Sequence, residues 1–209
     1  MTVQSIQAPA LGVVVLAAGR STRMGTPKML LPWRRTTVIG HLLQQWARLG
    51  STQTTVVCAV EDSRIAAELD RLLFPPEHRI YNPRRDLGMF SSICSAAIWE
   101  GWATNLTHWA VVLGDQPHLN PATLEALIRF AASHADVVCQ PSRGLRPKHP
   151  VIVPATAFRA LRSTKASNLK EFLTGYEVAL CELEDPALDW DLDTPEDYER
   201  AVRLAAATG

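Results

Sequence analysis

Short apolar runs rich in β-branched residues alternate along this chain with longer amphipathic segments, and this alternation limits the folds available to it. The runs have the length of buried strands, and the segments carry apolar residues at helical spacing. We predict strands over 12–18, 54–60, 79–82, 108–113, 136–139, 151–153 and 177–183, and helices over 37–49, 63–73, 88–102, 123–133, 168–173 and 195–206. The alternation indicates an α/β fold in which helices cover both faces of a mostly parallel sheet.

The overall composition is that of an ordinary globular protein. Of the 209 residues, 47% are hydrophobic and 20% are charged, and the formal net charge is zero. We expect one domain over 1–209, with a core from about 11 to 206. A chain without excess positive charge has no general attraction to nucleic acid or to a membrane surface. The four cysteines form no C-x-x-C pair, and no apolar run reaches ~18 residues. We therefore expect free thiols in a cytoplasmic protein that binds neither nucleic acid nor membranes.

A basic, glycine-containing loop follows the first predicted strand, and residues 13–28 read VVVLAAGRSTRMGTPK. Gly19 and Gly25 let the backbone approach a ligand closely. The polar and cationic side chains of the loop are Arg20, Ser21, Arg23 and Lys28. Cations beside unpaired backbone N–H groups suit a nucleoside triphosphate. A P-loop is excluded because Lys28 follows Gly25 by three residues and precedes Met29, and a G-x-G-x-x-G fingerprint is absent.

Two acidic segments supply candidate metal ligands. The strand predicted over 108–113 leads through Gly114 to Asp115, at the sheet edge where open α/β folds bind ligands. Downstream, Asp191 and Asp193 share one side if the segment is extended. Mg²⁺ in triphosphate sites is held by one or two carboxylates together with phosphate oxygens. Two alternatives stay open: Asp115 as a simple turn residue, and Asp193 as the N-cap of the last predicted helix.

A third segment, 82–93, places two arginines, a glycine and two serines immediately before a predicted helix. Helix N-terminal N–H groups and serine hydroxyls suit a phosphate or a base edge. The alternative is an ordinary loop with an N-capping serine.

These motifs resemble those of the MobA-like NTP transferases, and most closely the molybdenum cofactor cytidylyltransferase branch. The shared elements are LAAG, SxRMG, Lys and LL within 16–32, GMxSS at 88–92, LGDQP at 113–117 and DLDTPED at 191–197. The resemblance implies a three-layer, Rossmann-like nucleotidyltransferase fold. Phe90 departs from the pattern, since the family usually has a smaller residue there, and Lys148 replaces the glycine of a Gly-His-Pro acceptor loop.

The resemblance also implies roles for individual residues. Nucleotide binding is expected from Leu16, Ala17, Ala18, Gly19, Ser21, Arg23, Gly25, Lys28, Arg84, Gly88, Ser91 and Ser92. Catalysis is expected from Lys28, Arg23 and Asp115. Mg²⁺ is expected on Asp115 and Asp193, with Asp191 as the alternate ligand. Acceptor contacts are expected from Gln116, Lys148 and His149, although His149 equally suits an ordinary loop histidine.

The implied activity is Mg²⁺-dependent transfer of CMP from CTP to the terminal phosphate of molybdopterin, with release of pyrophosphate. The preference for CTP is carried by Ala18, where the guanylyl branch more often has glycine and where an added methyl group would crowd a purine. One alternative is a nucleotidyltransferase for a sugar phosphate or polyol phosphate. Another is a non-catalytic carrier that passes molybdenum cofactor to a molybdenum hydroxylase apoenzyme of the xanthine dehydrogenase type. The presence of Lys28 and Asp115 favours an enzyme, because a carrier does not need them.

Overall fold

The computed structural model describes residues 9–19 and 24–207, in which strands and helices alternate as predicted. The strands are β1 (Leu11–Leu16), β2 (Pro32–Trp33), β3 (Thr36–Thr37), β4 (Gln53–Ala59), β5 (Arg79–Asn82), β6 (His108–Leu113), β7 (Val138–Arg143), β8 (Arg146–Pro147), β9 (Val151–Pro154) and β10 (Val178–Glu182). The helices are α1 (Val38–Arg48), α2 (Ser63–Arg71), α3 (Met89–Ile98), α4 (Pro121–Ala132), α5 (Ala155–Ala160), α6 (Leu169–Leu173) and α7 (Pro195–Ala207).

The central sheet has the strand order β10-β7-β9-β6-β1-β4-β5. Neighbouring strands are parallel except at β9, which runs antiparallel to both β6 and β7. The short strand β8 pairs with β7, and β2 and β3 form a separate small hairpin. The prediction of a mostly parallel sheet is confirmed.

Both faces of the sheet are buried, which gives three layers. In β1, Val13 and Val15 belong to the apolar cluster under α1, α2, α4 and α7, whereas Val14 and Leu16 belong to the cluster under α3, α5 and α6. Successive side chains of a strand point to opposite faces, so a run of buried valines serves both layers.

The chain changes direction across the sheet at β1. From β1 it passes through α1 to β4 on one side, and it returns through α3 to β6 on the other side. Leu16, the last residue of β1, is in register with Leu113, the last residue of β6. Ligands of open α/β sheets bind in the crevice that such a reversal leaves at the carboxyl ends of the strands. The loop after β1 and the turn carrying Asp115 therefore meet at this crevice.

Three predictions about elements need correction. The helix predicted over 88–102 ends at Ile98, where the indole N–H of Trp102 donates to the Ala96 carbonyl at 2.8 Å and satisfies a carbonyl of the last turn. The strand predicted over 136–139 instead runs over Val138–Arg143 and forms a hairpin with β8. Helix α5 was missed; it begins at Ala155, directly after the last residue of β9, so no turn residues separate the two elements in the sequence.

Two further observations concern the cysteines and the apolar character of the helices. All four cysteines are free thiols, as predicted. Among the described residues, none of the helices has both the length and the apolar character needed to cross a membrane.

Candidate active site

Three side chains from distant parts of the chain meet at the crevice. Lys28 begins the short 3₁₀ helix Lys28–Leu30, Asp115 lies two residues beyond β6, and Asp193 lies two residues before α7. The Lys28 ammonium donates to Asp193 Oδ1 at 2.7 Å and to Asp115 Oδ2 at 3.3 Å. One cation is thus shared between two carboxylates, and each acidic segment supplies one of them.

Backbone contacts bring the two acidic segments together. The Leu192 N–H donates to the Asp115 carbonyl at 3.0 Å, and the Leu192 side chain is buried in the core. The Gln116 side-chain amide donates to Asp191 Oδ1 at 2.9 Å. Gln116, which the sequence assigned to acceptor binding, therefore also orients Asp191.

The cap of α7 is formed by Thr194 and Asp197. The Asp197 N–H donates to Thr194 Oγ1 at 3.2 Å, and the Thr194 N–H donates back to Asp197 Oδ2 at 3.0 Å. This reciprocal pair is a capping box, so the N-terminus of α7 does not draw on the side chain of Asp193. The capping interpretation of Asp193 was wrong, and its carboxylate faces Lys28 instead.

Asp115 occupies an electrostatically unfavourable position. Burial raises the pKa of its carboxyl and the nearby Asp191 adds to the rise, whereas Lys28 opposes it. Within the described part of the chain, the second oxygen, Oδ1, is buried and has no hydrogen-bond partner. A buried carboxylate oxygen without a donor is costly and is most readily explained by a cation or donor that arrives with a ligand.

A cleft of about 480 Å³ opens beside this charged group. Among the described residues it is lined by Leu16, Ala18, Gly19, Arg85, Asp86, Gly88, Met89, Ser92, Leu113, Gly114 and Asp115. One wall is thus the end of β1, another is the segment leading into α3, and the floor is the end of β6. Gly114 is required here because a Cβ on it would lie 2.4 Å from Met29 Sδ and 2.8 Å from the Leu16 carbonyl.

Asn82 fixes the wall formed by the start of α3. This fully buried side chain donates from Nδ2 to Ser91 Oγ at 2.8 Å and to Ser92 Oγ at 3.0 Å. Its Oδ1 accepts from the Arg84 N–H at 2.8 Å. A single amide therefore joins the end of β5 to the loop and to the first turn of α3.

The predicted acceptor residues lie in two neighbouring groups. Lys148 Nζ is 2.8 Å from Asp189 Oδ1, and Arg143 pairs with the other oxygen of Asp189. Burial lowers the pKa of His149 against opposing effects of Asp191 and of a backbone hydrogen bond with Val111. Because that leaves the imidazole neutral near pH 7, one ring nitrogen of His149 can donate a hydrogen bond and the other can accept one, but the ring does not add charge.

Comparison with protein families matches residues 13–180 to the MobA-like NTP transferase domain. The chain belongs to this family. It is therefore a nucleotidyltransferase, as the motifs implied.

Individual relatives agree with this assignment. The molybdenum cofactor cytidylyltransferase of Escherichia coli is 24% identical over 193 residues, which are 90% of this chain and 94% of that protein. A probable molybdenum cofactor guanylyltransferase of Natronomonas pharaonis is 28% identical over 189 residues, covering 75% of this chain and 92% of that protein. Rv0371c of Mycobacterium tuberculosis, solved in complex with manganese, superposes with a TM-score of 0.70 at 25% identity over 94% of this chain and 100% of that one.

Some of the residues predicted to bind the nucleotide lie together in the cleft. Lining residues from that set are Leu16, Ala18, Gly19, Gly88 and Ser92, together with Asp115. Ala17 is packed in the core on the opposite face, and Gly25 is exposed with a φ of +66°. Ser21 and Arg23 lie outside the described residues. Nucleotide binding by any of these residues stays a prediction.

Two predicted residues of the middle segment have other surroundings. Arg84 is exposed, and it is Arg85 that lines the cleft, where its Nε also lies 2.8 Å from Glu61 Oε1. The Ser91 hydroxyl is engaged by the Arg84 and Gly88 carbonyls and by Asn82. Sequence reasoning missed Arg85, Asp86, Met89 and Asn82. All four lie in or beside the same motif, but the short 3₁₀ turn Arg85–Leu87 sets which of them face the cleft.

The two carboxylates of the charged group are chemically suited to a divalent cation that is bound together with a triphosphate. Among the described residues, no group of three or more His, Cys, Asp or Glu side chains is arranged to hold a metal. Mg²⁺ on a triphosphate does not require one, because phosphate oxygens and waters complete its coordination. Asp115 and Asp193 supply two carboxylates, and the unpartnered Oδ1 of Asp115 is a ligand atom that the protein leaves unused.

Proposed function

We propose that this protein transfers CMP from CTP to the terminal phosphate of a molybdopterin acceptor, with a divalent cation held by Asp115 and Asp193. An oxygen of the acceptor phosphate forms a bond to the α-phosphorus of CTP. The bond between that phosphorus and the bridging oxygen breaks, and pyrophosphate leaves. The acceptor phosphate is largely ionised near neutral pH, so no general base is needed.

The observation that carries this proposal is the contact of Lys28 with two carboxylates beside the cleft. In this arrangement the cleft holds the nucleotide, and Lys28 moves to the phosphates to stabilise charge that develops as pyrophosphate departs. Mg²⁺ neutralises charge on the phosphate oxygens when it is bound. Positioning and electrostatics supply the catalysis, as expected for phosphoryl chemistry.

Relatives support the acceptor and the metal. Two proteins that align over most of their length with this chain are named for nucleotide transfer to molybdenum cofactor. Rv0371c was solved in complex with manganese, an ion that often replaces Mg²⁺. Lys148 and Arg143 pair with the two oxygens of Asp189, which lies two residues from Asp191. These two side chains are cations suited to an anionic acceptor.

The choice of CTP is supported by the position of Ala18. Its side chain lines the cleft, whereas the neighbouring Ala17 side chain is in the core on the other face. A methyl group at this point reduces the room available to a purine. Since the named relatives include both a cytidylyl and a guanylyl enzyme, Ala18 is the residue on which the assignment depends.

The test measures pyrophosphate release from each of the four NTPs with Mg²⁺ and molybdopterin. We expect release with CTP that requires both the acceptor and the metal. Lys28→Ala should lower this rate about a hundredfold, equivalent to ~3 kcal/mol of barrier, while Lys170→Ala on α6 should leave it unchanged.

Three outcomes would contradict the proposal or its mechanism. Release with a sugar phosphate but not with molybdopterin would assign a different acceptor to the same chemistry. Binding of molybdopterin without any turnover would show a carrier. A normal rate in folded Lys28→Ala would remove Lys28 from the mechanism.

A further inference from the structure

We infer that Lys28 has a second task, which rests on the proposed function. Its ammonium group occupies the Asp115–Asp193 carboxylate pair, so that a divalent cation binds there strongly only when a triphosphate draws Lys28 away. The metal site is therefore assembled by the nucleotide.

The ammonium group of Lys28 lies between the two carboxylates. Lys28 Nζ lies 2.7 Å from Asp193 Oδ1 and 3.3 Å from Asp115 Oδ2, and only 15% of the lysine side chain is exposed. A divalent cation bound to these two carboxylates neutralises the same negative charges that the ammonium neutralises. Two cations held between one pair of carboxylates repel each other, and partial burial strengthens the repulsion. Lys28 and the metal therefore compete.

Lys28 does not contact every oxygen of the Asp115–Asp193 pair. Asp115 Oδ1 is buried without a hydrogen-bond partner among the described residues, so the lysine leaves one ligand atom unused. The carboxylates remain accessible, with 26% and 31% of the Asp115 and Asp193 side chains exposed. An incompletely satisfied but accessible pair can exchange one cation for another.

The phosphates of a bound nucleotide are an alternative partner for Lys28. The cleft that ends at Asp115 is the proposed triphosphate site, and phosphate oxygens attract an ammonium at least as strongly as carboxylates do. When Lys28 turns to the phosphates, its contacts with the two carboxylates are lost, and a metal can replace them. By thermodynamic reciprocity, metal and nucleotide then tighten each other's binding by the same factor.

The experiment is a Mn²⁺ titration without nucleotide, followed by the electron paramagnetic resonance signal of free Mn²⁺. Free nucleotide chelates Mn²⁺, and leaving it out isolates the protein site. We expect Lys28→Met to bind Mn²⁺ about tenfold more tightly than the wild-type protein. Lys170→Met removes the same charge from exposed α6 and should leave the affinity unchanged.

A double variant establishes where the ion binds. Lys28→Met combined with Asp115→Asn should lose the gain in affinity, which would locate the ion at this pair and not at the other acidic residues near α7. Mn²⁺ affinity in Lys28→Met that is equal to or weaker than that of the wild type would overturn the inference.

The two proposals fail in different experiments. An active wild-type enzyme whose Lys28→Met variant gains no Mn²⁺ affinity refutes the competition alone. A gain in affinity together with no pyrophosphate release from any NTP refutes the proposed reaction and leaves the competition in place.

Discussion

Asp115 shows how one side chain can serve the site at the expense of the fold. Burial raises the pKa of its carboxyl, so the ionised form is destabilised in the folded protein. For an acid whose pKa is raised by folding, the folded state is favoured below that pKa, and this contribution is lost as the pH rises through it. At neutral pH an ionised Asp115 therefore costs stability, as expected for a carboxylate that serves the proposed metal site and not the fold.

Asp115→Asn should abolish metal-dependent turnover without lowering the melting temperature at about pH 7. The amide oxygen still accepts a hydrogen bond from Lys28, while the buried charge is removed. Pyrophosphate release and differential scanning fluorimetry on the same preparation give both values. A clear fall in melting temperature would mean that the carboxylate is mainly structural.

Ala18 should decide between nucleotides. We expect the wild-type protein to bind CTP more tightly than GTP, and Ala18→Gly to reduce the difference without abolishing CTP binding. One methyl group in a tight pocket supports only ~1–3 kcal/mol of discrimination. Calorimetric titration of both nucleotides measures it.

Ala17→Gly is the matched control for this prediction. It removes the same methyl group from the core face of the same segment and should leave the preference for CTP unchanged. Tighter binding of GTP than of CTP by the wild-type protein would contradict the cytidylyl assignment and leave the nucleotidyltransferase class intact.

Among the elements, the junction between the loop after β5 and helix α3 has a backbone conformation that favours glycine. Gly88 is the N-cap of α3 and has φ +86° and ψ −177°, a conformation that side chains disfavour. A Cβ built on Gly88 meets nothing within 4 Å, so the requirement for glycine comes from the backbone and not from crowding.

Gly88→Ala should cost ~1–3 kcal/mol of stability and weaken nucleotide binding, because relief of the strain moves residues that line the cleft. Gly175→Ala is the control, since a Cβ there has its nearest neighbour at 3.7 Å and no unusual φ. Chemical denaturation and CTP titration provide the measurements. Unchanged nucleotide affinity in a destabilised Gly88→Ala would show that this junction supports the fold only.

For the molecule as a whole, partly buried histidines contribute to the response to acid. Burial lowers the pKa of His41 from its ordinary value of 6.5 to about 4, with Arg34 adding to the effect. A histidine that folds in the neutral form stabilises the protein above 6.5, and this contribution is lost as the pH falls towards the folded pKa. His41 lies on α1 and is also linked to the Pro117 backbone, in the turn that carries Asp115.

The wild-type protein should therefore lose stability between about pH 6.5 and about pH 4, and His41→Gln should lose less over that range. Because the ring is only partly buried, we expect a difference of about 1–2 kcal/mol after solvent screening. Urea unfolding at several pH values within this window measures it. Parallel pH profiles for the two proteins would contradict this origin of the acid response.

Several parts of this molecule could be predicted from local pattern alone. The runs of β-branched residues place β1, β4 and β6 within a few residues of their observed bounds, because these strands contribute buried side chains to both faces of the sheet. The same reasoning overextended α3 past Ile98, since the indole that ends the helix acts through a fold-dependent contact with Ala96. It also selected Arg84, whereas a single 3₁₀ turn presents Arg85 to the cleft.

The order of elements along the chain was sufficient for the α/β class, because hydrophobic period is a local property. Phosphate binding by the loop after β1 stays a prediction that rests on local loop chemistry. The meeting of Lys28 with Asp115 and Asp193, which are 87 and 165 residues away, is not a local property. It depends on β6 returning to pair with β1, and on Leu192 packing in the core beside the end of β6. Asp193 illustrates the difference: its sequence context was equally consistent with a helix cap and a metal ligand. The capping box of Thr194 and Asp197, together with the nearby ammonium of Lys28, left its carboxylate in the active site.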